Sequence, residues 1–253
     1  MEKLNADRES LFIVSLPRSL STLVYHFSRL TLGLEEPGWA SDGEILNADR
    51  LIFNLAPDQS VSLKYLKREQ HEETAFRIES FLEHAVVQRG MAYKDVVHPF
   101  ILADWLPSQP IRVLKIRRNV TEVAYSMIRK QWFYPGMASA HAEQSATAVI
   151  DGLLAALEVI EGIPGETVDF DDIVENETTL FEALDRLYDG ATQRHVRFID
   201  ESFQRQRDRI LERRQSPLYR DLEEIVDQRQ RPKLPKGGPK ESNPVPCLHA
   251  SLN

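Results

Sequence analysis

The chain has 253 residues, 42% of them hydrophobic and 28% charged, with 31 basic against 39 acidic residues and a net charge of −8. That is the make-up of a soluble globular protein, long enough for a sizeable core in one α/β domain or one and a half. It speaks against a general nucleic-acid binder, though not against a local basic pocket, and no apolar run approaches the roughly 20 residues that span a bilayer.

The opening segment "MEKLNADRES" is polar and partly acidic, and no signal peptide is read in it. Residues 11–16 then read as a buried strand, and "STLVYHFSRLTL" as a helix with Leu23, Phe27 and Leu30 on one stripe. "GLEEPGWASDGEILNADR" has turn residues and no lasting period, so it is expected to be mostly loop. "LKREQHEETAFRIESFLEHAVVQRG" predicts a long amphipathic helix with Gly90 as its C-cap. "AYKDVV" predicts a short strand stopped at His98-Pro99, and "IRVLKI" a second β-branched one. "NVTEVAYSMIRKQWF" follows as a helix, with Asn119 or Thr121 as N-cap.

In the second half, "AEQSATAVIDGLLAALEVI" predicts a helix, "GETVDF" a strand, and "DDIVENETTLFEALDRLYDG" one or two helices. "ATQRHVRFIDESFQRQRDRILERRQ" and "SPLYRDLEEIVDQRQ" predict charged amphipathic helices. Residues 1–230 are expected to form a single domain, and 231–253, rich in proline and glycine, an irregular tail. Cys247, the single cysteine, lies in that tail; one thiol makes no internal disulfide, which fits a reducing cytoplasm. Strands alternating with helices predict an α/β fold: a mainly parallel central sheet flanked by helices, with a helix-rich C-terminal half. In such a sheet ligands sit beyond the carboxyl ends of the strands.

Two stretches lie at such ends. The first is "LPRSLST", between the first strand and its helix. A helix N-terminus offers unpaired N–H groups and a partial positive charge, which suit phosphate or sulfate. Arg18 adds a fork of donors, and Ser19, Ser21 and Thr22 add hydroxyls. The bland alternative is that Ser21 is a helix N-cap and Arg18 a surface charge. The Walker pattern GxxxxGK[ST] is absent, which argues against an ordinary ATP or GTP loop. The second stretch is "VLKIRRNVTEVAYS", again strand, basic residues, helix. A strand-end arginine, Arg118, and Ser126 two turns into the helix could converge on one anion. Taken singly, Arg117 and Arg118 could equally be solvated and Ser126 a small packing residue.

Together the two stretches resemble the sulfotransferase family that uses 3′-phosphoadenosine-5′-phosphosulfate (PAPS). "PRSLST", Pro17 to Thr22, looks like its P-[KR]-S-G-[ST]-T motif, and "RNVTEVAYS", Arg118 to Ser126, like its R-N-P-x-[DE]-x-x-x-S motif, with Val120 in place of proline. "VDFDDIVENETTLFEALDRL" is a weaker echo of a third segment, with Phe170 in the aromatic position. The resemblance covers about residues 11–190 and implies a P-loop-like sulfotransferase fold. It implies that Arg18, Ser19, Leu20, Ser21 and Thr22 hold the 5′-phosphosulfate of PAPS, Arg18 stabilising the leaving group, and that Arg118 and Ser126 hold the 3′-phosphate. No metal is expected. Leu20 stands where the family has glycine; a leucine is expected to demand an ordinary backbone conformation there.

An alcohol acceptor needs a base. His98 follows a predicted strand at the same sheet edge, and its place resembles the family's "KTH" segment; Asp95, in "KDV", and Glu44 are the alternatives. Trp39 could face acceptor or adenine, or could be a packing anchor. His26, His71, His84, His141 and His195 fall on predicted helices as surface or packing residues. The basic "RPKLPKGG" could add phosphate contacts or be a charged flexible tail.

The expected activity is transfer of a sulfuryl group from PAPS to a hydroxyl or amine of a small-molecule acceptor, with no nucleic acid or membrane as partner. The competing hypotheses are a P-loop-like nucleotide kinase and a non-catalytic nucleotide-binding relative. The long C-terminal helices could pack on the same domain or on a second copy, which leaves a homodimer open.

Overall fold

The computed structural model describes residues 8–38, 41–44, 89–96, 99–131, 145–176, 178–190 and 199–231. The helix expected to end at Gly90, the tail beyond residue 231, Trp39 and His98 lie outside these residues or, for the helix, almost wholly so.

Four parallel strands make the sheet: β1 (Ser10–Ser15), β2 (Ala92–Asp95), β3 (Ile111–Arg117) and β4 (Glu166–Asp169), in the order β2-β1-β3-β4. The apolar, β-branched run of β1 explains its place between two neighbours, where every residue is buried. Phe12 and Val14 face one side of the sheet, Leu11 and Ile13 the other. The expected α/β class with a parallel sheet is thus what the chain adopts, and the second half is rich in helix.

Helix α1 (Ser21–Leu32) has the predicted span and stops at Gly33, whose left-handed φ of 68° lets its N–H reach the Arg29 carbonyl. Its buried face differs from the predicted stripe. Val24, Tyr25, Phe27, Ser28, Thr31 and Leu32 are buried, whereas Leu30 is 40% exposed. Neighbours on two sides set this orientation: Phe27 packs edge-on against Phe181, with ring centroids 4.6 Å apart, and Tyr25 lies under Gly43. A Cβ at Gly43 would run into the Tyr25 ring, so only glycine lets the short 3-10 turn Ser41–Gly43 lie against α1.

A helix that the sequence reading did not give, α2 (Pro99–Trp105), starts where β2 was expected simply to stop. Proline at the first helical position suits a helix start, and Ile101, Leu102 and Trp105 bury one face against the sheet. Helix α3 (Val120–Ile128) is capped by Asn119, whose side chain accepts from the Thr121 N–H at 2.8 Å. It ends at Ile128, earlier than the predicted Phe133. Helix α4 (Ala146–Gly162) packs on the same face as α2 and α3, with Leu153, Ala156 and Ile160 in the shared core. The opposite face is covered by α1, α5 (Phe170–Glu175) and α6 (Thr178–Tyr188). Two long helices follow, α7 (Ile199–Arg214) and α8 (Pro217–Gln230). Tyr219, Leu222 and Val226 of α8 join the core beside α3 and α4. Among the described residues no helix is long and apolar enough to cross a membrane.

The strand order has a direct consequence. The chain leaves β1 to one side, to β2, then crosses back to β3 on the other. The carboxyl ends of β1 and β3 therefore flank a topological switch point, where open α/β sheets leave a crevice. The loop 17–20 and the residues Arg118 and Asn119 sit at that point.

Candidate functional site

Loop 17–20 feeds directly into the first turn of α1. The expectation for Leu20 is overturned. It adopts φ 56° and ψ 20°, the left-handed conformation, and forms the N-cap position of α1 with no side-chain hydrogen bond. Arg18 is left-handed as well, at φ 65°. For L-residues this conformation costs about 1–2 kcal/mol each, and such strain persists only where surroundings over-determine it. The loop thus keeps a glycine-like path without glycine. Ser21 is the first helical residue and not the cap. With no side chain capping the helix, its first N–H groups are left to whatever lies in the crevice.

Several side chains hold this loop. Arg118, 4% exposed at the end of β3, donates through Nη1 to the Arg18 carbonyl and stacks over the Phe170 ring at 3.9 Å. Burial pulls its pKa down to about 10, against the pull of the Glu122 carboxylate. Arg18 donates from Nε to the Ser126 hydroxyl at 3.1 Å. The two predicted anion units, 108 residues apart in sequence, are therefore in direct contact. Arg117 is different: it points outward and forms a bidentate pair with Asp169 at 2.5 and 2.7 Å.

Lys94 was absent from the expected donor set. At the end of β2 it is 2% exposed, and its Nζ donates to Thr22 Oγ1 at 2.8 Å. Glu44 lies 3.7 Å from the same ammonium, next to Gly43. Burial raises the Glu44 pKa, with Lys94 pulling it back down. The sequence signal was the pair Lys94-Asp95 closing a strand; only the register of β2 beside β1 brings the lysine to the loop. Asp95 itself is 1% exposed. His26, one turn beyond Thr22, pairs with Asp42 at 2.9 Å.

These groups line one cleft of ≈ 600 Å³. Pro17 to Leu23, Glu44, Lys94, Arg118 and Ser126 form the wall nearest the sheet. The opposite wall comes from α7, through Gln206, Arg209 and Arg213. Sequence reasoning assigned nothing to this helix, and its only signal was arginine at four-residue spacing, Arg205, Arg209 and Arg213. Among the described residues, every charged side chain facing the cleft is basic except Glu44, with His26 as the titratable neighbour. In a chain of net charge −8 that is a strong local reversal.

A buried carboxylate ties the two walls together. Glu122 of α3 is fully buried. Its Oε2 lies 3.6 Å from Arg118 Nη2 and 3.8 Å from Arg213 Nη1, and its Oε1 accepts from Arg214 Nε at 3.3 Å. Even so, Arg118 keeps Nε and Nη2 without hydrogen-bond partners, and the buried Ser19 hydroxyl has none either. Buried polar atoms without partners cost roughly 1–3 kcal/mol each, a cost that the surrounding packing must offset. Among the described residues no group of three His, Cys, Asp or Glu could hold a metal ion.

No protein-family model and no curated protein matches the chain. Solved structures that resemble it include two sulfotransferases. A sulfotransferase domain from the curacin biosynthetic pathway aligns over 87% of this chain and 97% of its own, at 15% identity and a TM-score of 0.44. A sulfotransferase from Alicyclobacillus acidocaldarius aligns over 87% and 96%, at 13% identity and a TM-score of 0.43.

Proposed function

We propose that the chain is a sulfotransferase that takes its sulfuryl group from PAPS and passes it to a hydroxyl or amine of a small molecule. One observation carries this: the loop 17–22 and the pair Arg118 and Ser126 meet in a single basic cleft at the switch point between β1 and β3. A nucleotide phosphorylated at both its 5′ and 3′ ends suits two linked clusters of donors. ATP has no 3′-phosphate, and the loop lacks the Walker lysine.

Position supports the following roles. The N-terminus of α1, with Ser19, Ser21 and Thr22, receives the 5′-phosphosulfate. Arg18 and Lys94 neutralise charge that builds on the bridging oxygen as the bond from sulfur to the phosphate breaks. Lys94 is well placed because Thr22 fixes its ammonium inside the cleft. Arg118 and Ser126, which line the same cleft, receive the 3′-phosphate. The acceptor oxygen or nitrogen bonds to sulfur in line with the departing phosphate, its proton passes to a base, and 3′-phosphoadenosine-5′-phosphate leaves. His98 is the proposed base. Glu44 is the alternative among the described residues that line the cleft, since burial strengthens its hold on a proton.

Thermal shift of the protein with 3′-phosphoadenosine-5′-phosphate, against ADP and ATP, tests the proposal. Preferential stabilisation by the 3′-phosphorylated nucleotide is expected. Equal shifts, or none, would overturn it.

A further inference from the structure

The wall of the cleft opposite the loop is made by a helix that neither motif includes. Among the described side chains of helix α7, residues 205–214, Ile210 is the buried apolar one. Ile210 enters the core beneath α1, α5 and α6, and Arg207 donates from Nη1 to the carbonyls of Val174 and Glu175 at 2.7 and 3.3 Å. Arg213 and Arg214 dock on Glu122. These anchors fix the rotation of the helix. They leave Gln206, Arg209 and Arg213, spaced i, i+3 and i+7, along the face that lines the cleft. Among the described residues the Arg209 guanidinium has no hydrogen bond or ion pair, and Arg213 is held only by the long 3.8 Å contact to Glu122. The same carboxylate oxygen lies 3.6 Å from Arg118. Arg213 thus shares the Glu122 carboxylate with Arg118, and Arg209, one turn earlier on the same helix, lines the same cleft.

We infer that α7 is an anion clamp, and that Arg209 and Arg213 complete the site for the 3′-phosphate of the nucleotide together with Arg118 and Ser126. This rests on the PAPS reading above. A 3′-phosphate carries close to two charges, and Glu122 already takes much of the charge of Arg118. Two further guanidinium groups, able to bind oxygen bidentately, supply the missing complement. Glu122 then serves as the common anchor that sets Arg118 and Arg213 at a fixed separation.

Titration calorimetry with 3′-phosphoadenosine-5′-phosphate and with adenosine 5′-monophosphate decides the matter. The variants are Arg209→Ala, Arg209→Lys and Arg209→Ala with Arg213→Ala. The wild-type protein is expected to prefer the bisphosphate. Arg209→Ala is expected to lower bisphosphate affinity about tenfold and leave the monophosphate within about twofold, Arg209→Lys to recover part of the loss, and the double variant to abolish the preference. Melting of each variant without ligand separates a binding loss from a folding loss; Arg209→Ala, which breaks no pair among the described residues, is expected to melt as wild type. If wild type prefers the bisphosphate and both alanine variants keep that preference, the clamp is refuted and the donor assignment stands. If wild type shows no preference, both fall.

Discussion

The Arg118 guanidinium donates to the carbonyl of Arg18, a residue held in the left-handed region at φ 65°. One side chain at the end of β3 therefore helps to fix the backbone of a loop that belongs to β1. Arg118→Lys keeps a charge but cannot both reach the carbonyl and lie flat on Phe170. The variant is expected to lose about 2 kcal/mol of stability in urea unfolding and at least tenfold in affinity for 3′-phosphoadenosine-5′-phosphate. Wild-type values in both measurements would show that the loop holds its path without Arg118.

Leu20 gives a test of opposite sign at a single position. Leu20→Gly removes the left-handed strain of roughly 1 kcal/mol and is expected to keep full nucleotide binding. Leu20→Val places a β-branched residue at φ 56°, where it is a true outlier, and is expected to lower stability by about 1–2 kcal/mol and weaken binding. Calorimetric titration of both variants checks the ordering; valine binding better than glycine would contradict it.

Glu122 is fully buried between three arginines. Glu122→Gln removes the charge and leaves Arg118 enclosed without compensation. Breaking one side of a buried charge cluster costs about 3–5 kcal/mol. Hydrogen exchange is expected to rise along α7, since Arg213 and Arg214 lose their dock. Unchanged protection in residues 205–214 would mean that Ile210, Arg207 and the Arg214–Asp171 contact suffice to hold the helix.

The Arg117–Asp169 pair sets a pH dependence. Hydrogen bonding to Arg117 lowers the Asp169 pKa from 3.8, so the folded state favours the carboxylate. Its contribution is present above the unfolded value and is lost as pH falls through the lower folded value. Both side chains are more than one-third exposed, which keeps the contribution under about 1 kcal/mol. Asp169→Asn is therefore expected to cost a few tenths of a kcal/mol near neutrality, with the difference from wild type closing in strong acid. A difference that grew towards low pH would reverse the assignment.

Much of the fold is legible locally because the strands carry β-branched runs and the helices end on clear signals. Gly33 closes α1, and Asn119 opens α3. Helix α2 escaped because Pro99 reads as a breaker after a strand as readily as a helix start. Leu30 was misplaced because α1 is buried by neighbours on two sides, not along one stripe. In the site, the two motif segments can be seen in sequence because each is contiguous. Lys94 and Arg209 cannot: one reaches the cleft through strand register, the other through the rotation of a charged helix, and both are tertiary facts. Leu20 fails for the opposite reason, since its intrinsic preference points away from the conformation that its surroundings impose.

The two left-handed residues also say something about time. Neither Arg18 nor Leu20 favours that conformation alone, so the loop cannot nucleate itself. Its path depends on β1, β3 and α3, which together carry Arg118 to the Arg18 carbonyl. The loop is therefore expected to be the first part of this region to open when that scaffold is weakened, before the sheet unfolds.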